Sequence, residues 1–246
     1  MNVFIIGGTS GIGLALASYY HLQGNRVGVC GRDLQKLTDE LRFEKYQADV
    51  TNIVQLQNVI QQFAGERALS LLINCAGSYA EDVADDISYE EAVAMLQTNI
   101  MGAVNCLEVG RKAMCHTSGQ IVLLASISGI LDYPESSLYT KTKRSVIQIA
   151  DAYRRALRPY GIAITTIAPG YVDTQKLRDL NHNDLSKKPF LVTEAQAVRE
   201  ITQAITEKKA LLLFPKQMKW LMRFLSYMPS FLLSKIMYKK AHYMKK

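Results

Sequence analysis

What this chain has little of narrows its class before any motif is read. It carries four cysteines, Cys30, Cys75, Cys106 and Cys115, far apart and with no C-x-x-C pair. That argues against a zinc site or a disulfide scaffold and points to a reducing compartment. Its four histidines, His21, His116, His182 and His242, show no ligand spacing, so no metal centre is expected. No uninterrupted apolar run is long enough to cross a bilayer. The first strand-like run begins almost at Met1, leaving no space for the charged and apolar regions of a secretory leader. Cytoplasmic placement is therefore the expectation.

Acids are missing from one end. Leu211 to Lys246 holds eight Lys or Arg and no Asp or Glu, so the net charge of +7 resides there. Residues 1–210, with 21 cations against 22 acids, sum to −1. A nucleic-acid-tracking surface would place a basic face on the body, so no nucleic-acid partner is expected. With 246 residues, 48% of them hydrophobic, the chain can close one substantial core.

What is present is an alternation. Short apolar runs that read as strands recur at Val3–Ile6, Arg26–Cys30, Lys45–Ala48, Ser70–Asn74, Gln120–Ala125, Ala163–Ala168 and Ala210–Phe214, with helical patterns between them. The clearest helix runs from Ser136 to Arg158, where Val146, Ile149, Ala150, Tyr153, Ala156 and Leu157 recur at helical spacing before Pro159. Such alternation predicts an α/β fold: one Rossmann-type domain with a doubly wound parallel sheet of about seven strands, helices on both faces, and ligands outside the carboxyl ends of the strands. Composition shifts only after Phe214. The expected division is residues 1–214 as the nucleotide-binding body and 215–246 as a basic, amphipathic helical extension.

At the first strand-to-helix junction stands GGTSGIG, Gly7 to Gly13. A backbone can wrap a pyrophosphate only where side chains do not intrude, and a helix N-terminus supplies unpaired N–H donors and a positive dipole end. Gly7 suits the sharp exit from the strand, Gly11 the close approach, and Gly13 tight packing of helix on sheet. Thr9 and Ser10 can cap the helix and offer hydroxyls. A glycine cluster alone also serves a tight turn with no ligand; further motifs are needed.

They come in order along the chain. The spacing G-x-x-x-G-x-G resembles that of the short-chain dehydrogenase/reductase family. Asp49-Val50 is similar to the pair after the third strand that brackets the adenine there, and Asn74-Cys75-Ala76-Gly77 to the N-N-A-G motif. Asn99 matches the family's helix asparagine. Ser126 precedes Tyr139 by thirteen residues, Tyr139 to Lys143 is Y-x-x-x-K, and Pro169-Gly170-Tyr171-Val172-Asp173-Thr174 comes after the sixth strand. The resemblance covers Ile6 to Thr174, and more loosely runs to Phe214. It departs from the pattern at Ile6, where threonine is common, and at Cys75, where the motif has a second asparagine; both sit in the support of the cofactor loop.

The residues and the resemblance together suggest a chemistry. Tyr139 and Lys143, at i and i+4, share a helix face that Lys141 does not. A phenol titrates near ~10 when unperturbed, and a neighbouring cation favours the phenolate, so Lys143 is expected to tune Tyr139 into a usable acid and base. The resemblance implies that Tyr139 protonates a carbonyl oxygen, that Lys143 also binds the nicotinamide ribose, that Ser126 hydrogen-bonds the substrate oxygen, and that Asn99 holds a relay water. It implies a cofactor contact for Gly7, Thr9, Ser10, Gly11, Ile12, Gly13, Arg32, Asp49, Val50, Asn74, Ala76, Gly77, Tyr139, Lys143, Pro169, Gly170, Val172 and Thr174. Taken singly, Tyr139 and Lys143 also fit an exposed helical pair, Ser126 a strand-end turn and Asn99 a helix cap.

The second strand ends Val29-Cys30-Gly31-Arg32-Asp33. An acid at position 31 would pair with the ribose hydroxyl of NAD and repel a 2′-phosphate; instead there is glycine, followed by a guanidinium suited to phosphate. NADP (NADPH) is expected over NAD. In the alternative, Arg32 stacks on adenine and Asp33 caps the next helix. Ser10 is neutral where some NADP-preferring relatives carry a basic residue.

Substrate identity belongs to the variable segments 127–137 and 174–193, and the latter is expected to be a polar lid. In the tail, cations at 216, 219 and 223 make one stripe on a helix whose other faces are apolar, broken at Pro229. Such a helix suits a membrane interface, a partner subunit or the wall of an apolar substrate pocket. The resulting expectation is an NADP-dependent oxidoreductase of a small-molecule carbonyl or alcohol, with a lipophilic keto substrate, working as a homodimer or homotetramer. A 3-oxoacyl thioester reductase, a noncatalytic NADP sensor and a peripheral membrane scaffold stand as alternatives.

Overall fold

Strand β1 (Asn2–Ile6) sends its apolar side chains alternately to two cores: Val3 and Ile5 to one side, Phe4 and Ile6 to the other. A strand buried on both faces belongs inside a sheet covered twice. The computed structural model, which describes residues 1–35, 37, 42–80, 87–229 and 231–236, shows that arrangement. Tyr238, Lys239, Lys240, His242, Lys245 and Lys246 of the tail lie outside the described residues.

With β2 (Arg26–Gly31), β3 (Glu44–Gln47), β4 (Leu71–Asn74), β5 (Gly119–Leu124), β6 (Ile162–Pro169) and β9 (Leu211–Phe214), β1 forms a parallel seven-stranded sheet. Its order is β3-β2-β1-β4-β5-β6-β9. Between β6 and β9, β7 (Val172–Asp173) and β8 (Val192–Thr193) pair as a separate small sheet. On one face, α2 (Ile53–Ala64), α4 (Gly102–Met114) and α5 (Leu138–Leu157) close a core around Phe4, Phe63, Leu72 and Ile121. On the other, α1 (Gly11–Leu22) and α7 (Glu194–Thr206) cover Ile5, Val29, Ile73 and Ile167. Each large side chain fully buried here contributes roughly 1.5–3 kcal/mol.

Helix starts obey their capping chemistry. Asn52 accepts from Val54 and Gln55 at the head of α2. Reciprocal capping boxes, Ser88 with Glu91 and Thr193 with Gln196, open α3 (Tyr89–Leu96) and α7. The expected helix from Ser136 is α5, entered through Ser137, whose hydroxyl accepts from Thr140 N–H. A π-turn, Gln97–Met101, joins α3 to α4.

Because β2 and β3 lie on one side of β1 and β4, β5, β6 and β9 on the other, the connections diverge between β1 and β4 and leave a crevice at their carboxyl ends. Ile6 stands level with Cys30 and Asn74, so Gly7 and Cys75 leave the sheet side by side, next to Gly31 at the end of β2.

A third, smaller core lies beyond β5. The 3-10 turn Ile127–Ile130 and Leu131 pack with Met218 and Met222 of α8 (Lys216–Ser226) and with Leu233, flanked by Tyr133, Tyr171 and Leu225. The inner face of the tail helix is thus seated next to Ser126.

Candidate active site

The turn from β1 into α1 is shaped by what its glycines exclude. Gly7 has φ +73, and a Cβ there would lie 2.6 Å from Ala76 N, so the β1 and β4 loops touch backbone to backbone. At Gly13 a Cβ would lie 2.2 Å from Gly7 O, so α1 can start this close to the strand exit only with glycine. Gly11, with φ +51, needs glycine for conformation rather than space; its nearest neighbour would be Thr174 Cγ2 at 3.6 Å. Ser10 occupies the N-cap position but its hydroxyl makes no capping bond, and no acid sits in the first turn. The helix N-terminus is therefore left available to an anion. These features fit a dinucleotide pyrophosphate.

The remaining expected contacts lie in the loops that follow the strands and within the nearby core. Arg32 is exposed just past β2, and Asp33 accepts from Gln35 N–H. Gly31 lies against Thr9, whose Cγ2 would be 2.8 Å from a Cβ at that position. Glycine at 31 thus has a packing reason as well as an electrostatic one. Asp49 is spent locally, accepting from Thr51 N–H and Oγ1 at 2.9 Å. Val50 is buried against Gly102 within the core. Asn74 receives Ala76 N–H at 3.0 Å, which fixes the β4 loop. Pro169 ends β6, Gly170 N–H donates to Phe214 O, Val172 pairs with Val192, and Thr174 caps α6 (Gln175–Asp179).

The structure brings Ser126, Tyr139, Lys143 and Asn99 to one place. Ser126 follows β5 and caps the 3-10 turn, its hydroxyl accepting from Ser128 N–H and Oγ, and it lies near enough to the Tyr139 phenol to favour its charged form. That turn rests on α5 with almost no clearance: a Cβ at Gly129 would lie 2.6 Å from Arg144 N. Lys143 is 5% exposed, with its ammonium donating to Leu124 O at 3.2 Å and lying 5.8 Å from the Tyr139 ring centroid. Lys141 points away, toward the carbonyls of Tyr133 and Pro134. The Tyr79 ring meets the Tyr139 ring edge-on at 5.0 Å.

One sequence expectation is corrected here. Lys143 does not lower the Tyr139 phenol in this state. Burial pushes that phenol up to about 12, with Tyr79 and Tyr171 adding to the rise and the Ser126 hydrogen bond opposing it. Lys143 is itself brought down to about 8, chiefly by burial and then by the Lys176 charge. The Asn99 side chain is held on three sides. It donates to Ser78 O at 2.9 Å and Thr142 Oγ1 at 3.0 Å, while Ser78 N–H donates to its Oδ1 at 2.9 Å. Asn99 clasps the β4 loop to α5. Thr142, which also donates to Tyr139 O at 2.8 Å, completes that clasp.

Sequence reasoning missed Thr142, Ser78, Gly129 and Lys176. A signal existed for Thr142, a polar residue at a helix position facing the core. Lys176, from α6, reaches back to donate to Gly77 O at 3.1 Å, and nothing local in the sequence foretells that contact.

A family model described as short chain dehydrogenase matches residues 1–185. The chain belongs to the short-chain dehydrogenase family. It is similar to an uncharacterized oxidoreductase of Staphylococcus aureus (strain N315), at 31% identity over 216 residues covering 83% of this chain and 90% of that one. It is also similar to one of Staphylococcus haemolyticus (strain JCSC1435), at 34% over 178 residues, 69% and 77%. Among solved structures, a short chain dehydrogenase from Burkholderia cenocepacia J2315 in complex with NADP has the same fold, with TM-score 0.79 at 20% identity over 92% of each chain. ElxO with NADP bound gives TM-score 0.76 at 26% identity, covering 86% of this chain and 96% of that one. This short-chain dehydrogenase is accordingly an NAD(P)-dependent oxidoreductase acting on CH–OH groups, with a small-molecule substrate. Among the described residues no helix is long and apolar enough to cross a membrane.

Proposed function

We propose that the protein is an NADPH-dependent reductase of lipophilic carbonyl compounds, with Tyr139, Ser126 and Lys143 as its catalytic residues and Asn99 positioning them. The observation that carries this reading is Tyr139 set beside Ser126 and sharing a helix face with a buried ammonium 5.8 Å from its ring centroid. A bound nicotinamide supplies or accepts the hydride. Tyr139, protonated at neutral pH because burial holds its phenol near 12, is the proton donor that a carbonyl oxygen needs as it gains charge. Ser126 supplies a hydrogen bond to the same oxygen and orients it. Lys143 carries positive charge below pH about 8 and steadies the oxyanion side of the site while holding the ribose.

The cofactor reading rests on this chain's own residues. Position 31 has no carboxylate and no space for one beside Thr9, and Arg32 is exposed at the strand end where a 2′-phosphate would lie. The turn Gly7–Gly13, together with Asn74 to Gly77 and Pro169 to Thr174, holds the rest. Solved neighbours carrying NADP or NADPH favour the same choice. The substrate reading rests on the third core, where Ile127, Tyr133, Met218 and Met222 place an apolar, adaptable wall next to Ser126. Residues 1–214 form the catalytic domain in this reading and 215–246 an extension that shapes its substrate side. The protein works in the cytoplasm as a homodimer or homotetramer, which light scattering tests.

The deciding variant is Tyr139→Phe. It should bind NADPH as the parent does and lose turnover by about 10²–10⁴-fold. Turnover retained in that variant would overturn the assignment. NADPH bound with no oxidation by the parent across ketones of graded length and 3-oxoacyl thioesters would instead make the protein a sensor. Comparing free ketones with thioesters separates the two reductase readings.

A further inference from the structure

The tail helix has two faces, and the function proposed above uses only one. Met218 and Met222 are buried and Leu225 half-buried, all turned toward the 3-10 turn of Ser126. The opposite side of α8 carries Lys216, Lys219, Trp220, Arg223 and Phe224, all exposed. Trp220 is 66% exposed and Phe224 68%, and the Arg223 guanidinium lies 6.0 Å from the Trp220 ring centroid. The chain past α8 adds Tyr227 and Phe231, exposed to 77% and 69%, and Lys235. Large aromatics this open, interleaved with cations on one side of a helix, are costly to leave in water without an occupant.

We propose that this outer face docks on the surface of an anionic lipid bilayer, with Trp220 and Phe224 entering the headgroup boundary and Lys216, Lys219 and Arg223 meeting lipid phosphates. Charge selects the occupant. Residues 211–246 hold eight cations and no acid. A two-fold contact would bring that patch against its own copy and set cation against cation, whereas an anionic leaflet is complementary to it. Trp and Tyr beside Lys and Arg, on a helix that itself carries no acid, are the side chains an interface helix needs. Docking would set the Met218–Met222 face, and with it the Ser126 side of the cleft, close to the bilayer. The proposal does not depend on the catalytic reading.

Trp220 is the chain's single tryptophan, so its emission reports this face alone. The full-length protein is titrated with vesicles of phosphatidylcholine plus phosphatidylglycerol and, separately, of phosphatidylcholine only. Expected are a blue shift and flotation with the anionic vesicles alone. Salt at about 0.5 M should weaken binding, and Lys219→Glu with Arg223→Glu should weaken it about tenfold or more. Trp220→Ala with Phe224→Ala should abolish flotation while NADPH binding, which reports the intact fold, stays as in the parent. Absence of flotation overturns the proposal. So does flotation with unshifted emission, which would place the contact elsewhere in the chain. A self-association abolished by Trp220→Ala with Phe224→Ala would assign the face to a second copy, and binding to a soluble acidic polypeptide but to no vesicle would assign it to an acidic protein.

Discussion

The β1–α1 turn and the tail helix α8 are built in opposite ways. At the turn, backbone meets backbone. Cβ positions at Gly7 and Gly13 would fall 2.6 Å and 2.2 Å from main-chain atoms, so shape is fixed by the absence of side chains. At α8 the contact is made by long flexible side chains, Met218 and Met222 against Ile127 and Leu131, and shape comes from packing that can adjust. In the function proposed, the rigid end takes the cofactor, which does not vary between reactions, and the soft end the substrate, which does. Lys143 stands between them, where burial is imposed on a charge.

That contrast can be broken hardest at Gly13. A methyl there must displace Gly7 O, which belongs to the strand exit and cannot swing aside. Gly13→Ala should cost about 3 kcal/mol or more and abolish NADPH binding, as read by chemical denaturation and a binding titration. Gly11→Ala is its control. There the space is open and only the positive φ resists, so about 1–2 kcal/mol is expected with the fold intact. Equal losses at the two positions would remove the claim that contact, rather than conformation, rules the turn.

Next in size is Lys143→Met. Burial lowers the Lys143 ammonium from the ordinary 10.5 to about 8, so the folded protein binds that proton less tightly than the unfolded chain does. Stability is therefore diminished below pH 8, where both states are charged. It is regained as pH rises from about 8 toward 10.5, and the penalty is gone once both states are neutral. Replacing the ammonium with an apolar side chain should raise stability by about 1–3 kcal/mol at pH 7, less the lost bond to Leu124 O. The gain should fade by pH ~10.5 while turnover is lost at every pH. Urea midpoints measured at pH 7 and 10 check the sign, and a destabilised variant at pH 7 would refute it.

The two regions also differ in how far the sequence reveals them. The glycine turn, the strand runs and the helix holding Tyr139 and Lys143 carry periodic or positional signals, and the structure places β1, β2, β4, β5, β6 and β9 within a residue or two of those runs. The two-residue strands β7 and β8 give no periodicity to read, yet they tie together both ends of segment 174–191. The π-turn at Gln97–Met101 has the pattern of an ordinary helix, so nothing marked Asn99 as a clasp whose partners are Ser78, far along the chain, and Thr142. Proximity of Tyr139 and Lys143 was implied by i and i+4 spacing, but the direction of their pKa shifts was not. Burial is a tertiary property, and here it outweighs the attraction expected between the pair. For α8 the sequence displayed amphipathicity and left open which apolar face turns inward; that depends on Ile127 and Leu131, nearly a hundred residues away.

The smallest effect is the most discriminating for the soft end. Met218→Leu with Met222→Leu conserves volume and apolarity, so stability should change by less than about 1.5 kcal/mol. What changes is adaptability, because leucine has fewer rotatable bonds and no polarisable sulfur with which to match an irregular ligand. If this wall touches substrate, KM for a long-chain ketone should rise roughly threefold, under 1 kcal/mol, while a short polar ketone and NADPH are handled as before. A change shared equally by long and short ketones would mean that the two methionines only support the Ser126 turn. No change at all would place the substrate chain elsewhere, against the lid between β7 and β8. In either case the rigid turn would be untouched, because backbone contact, not α8, sets its shape.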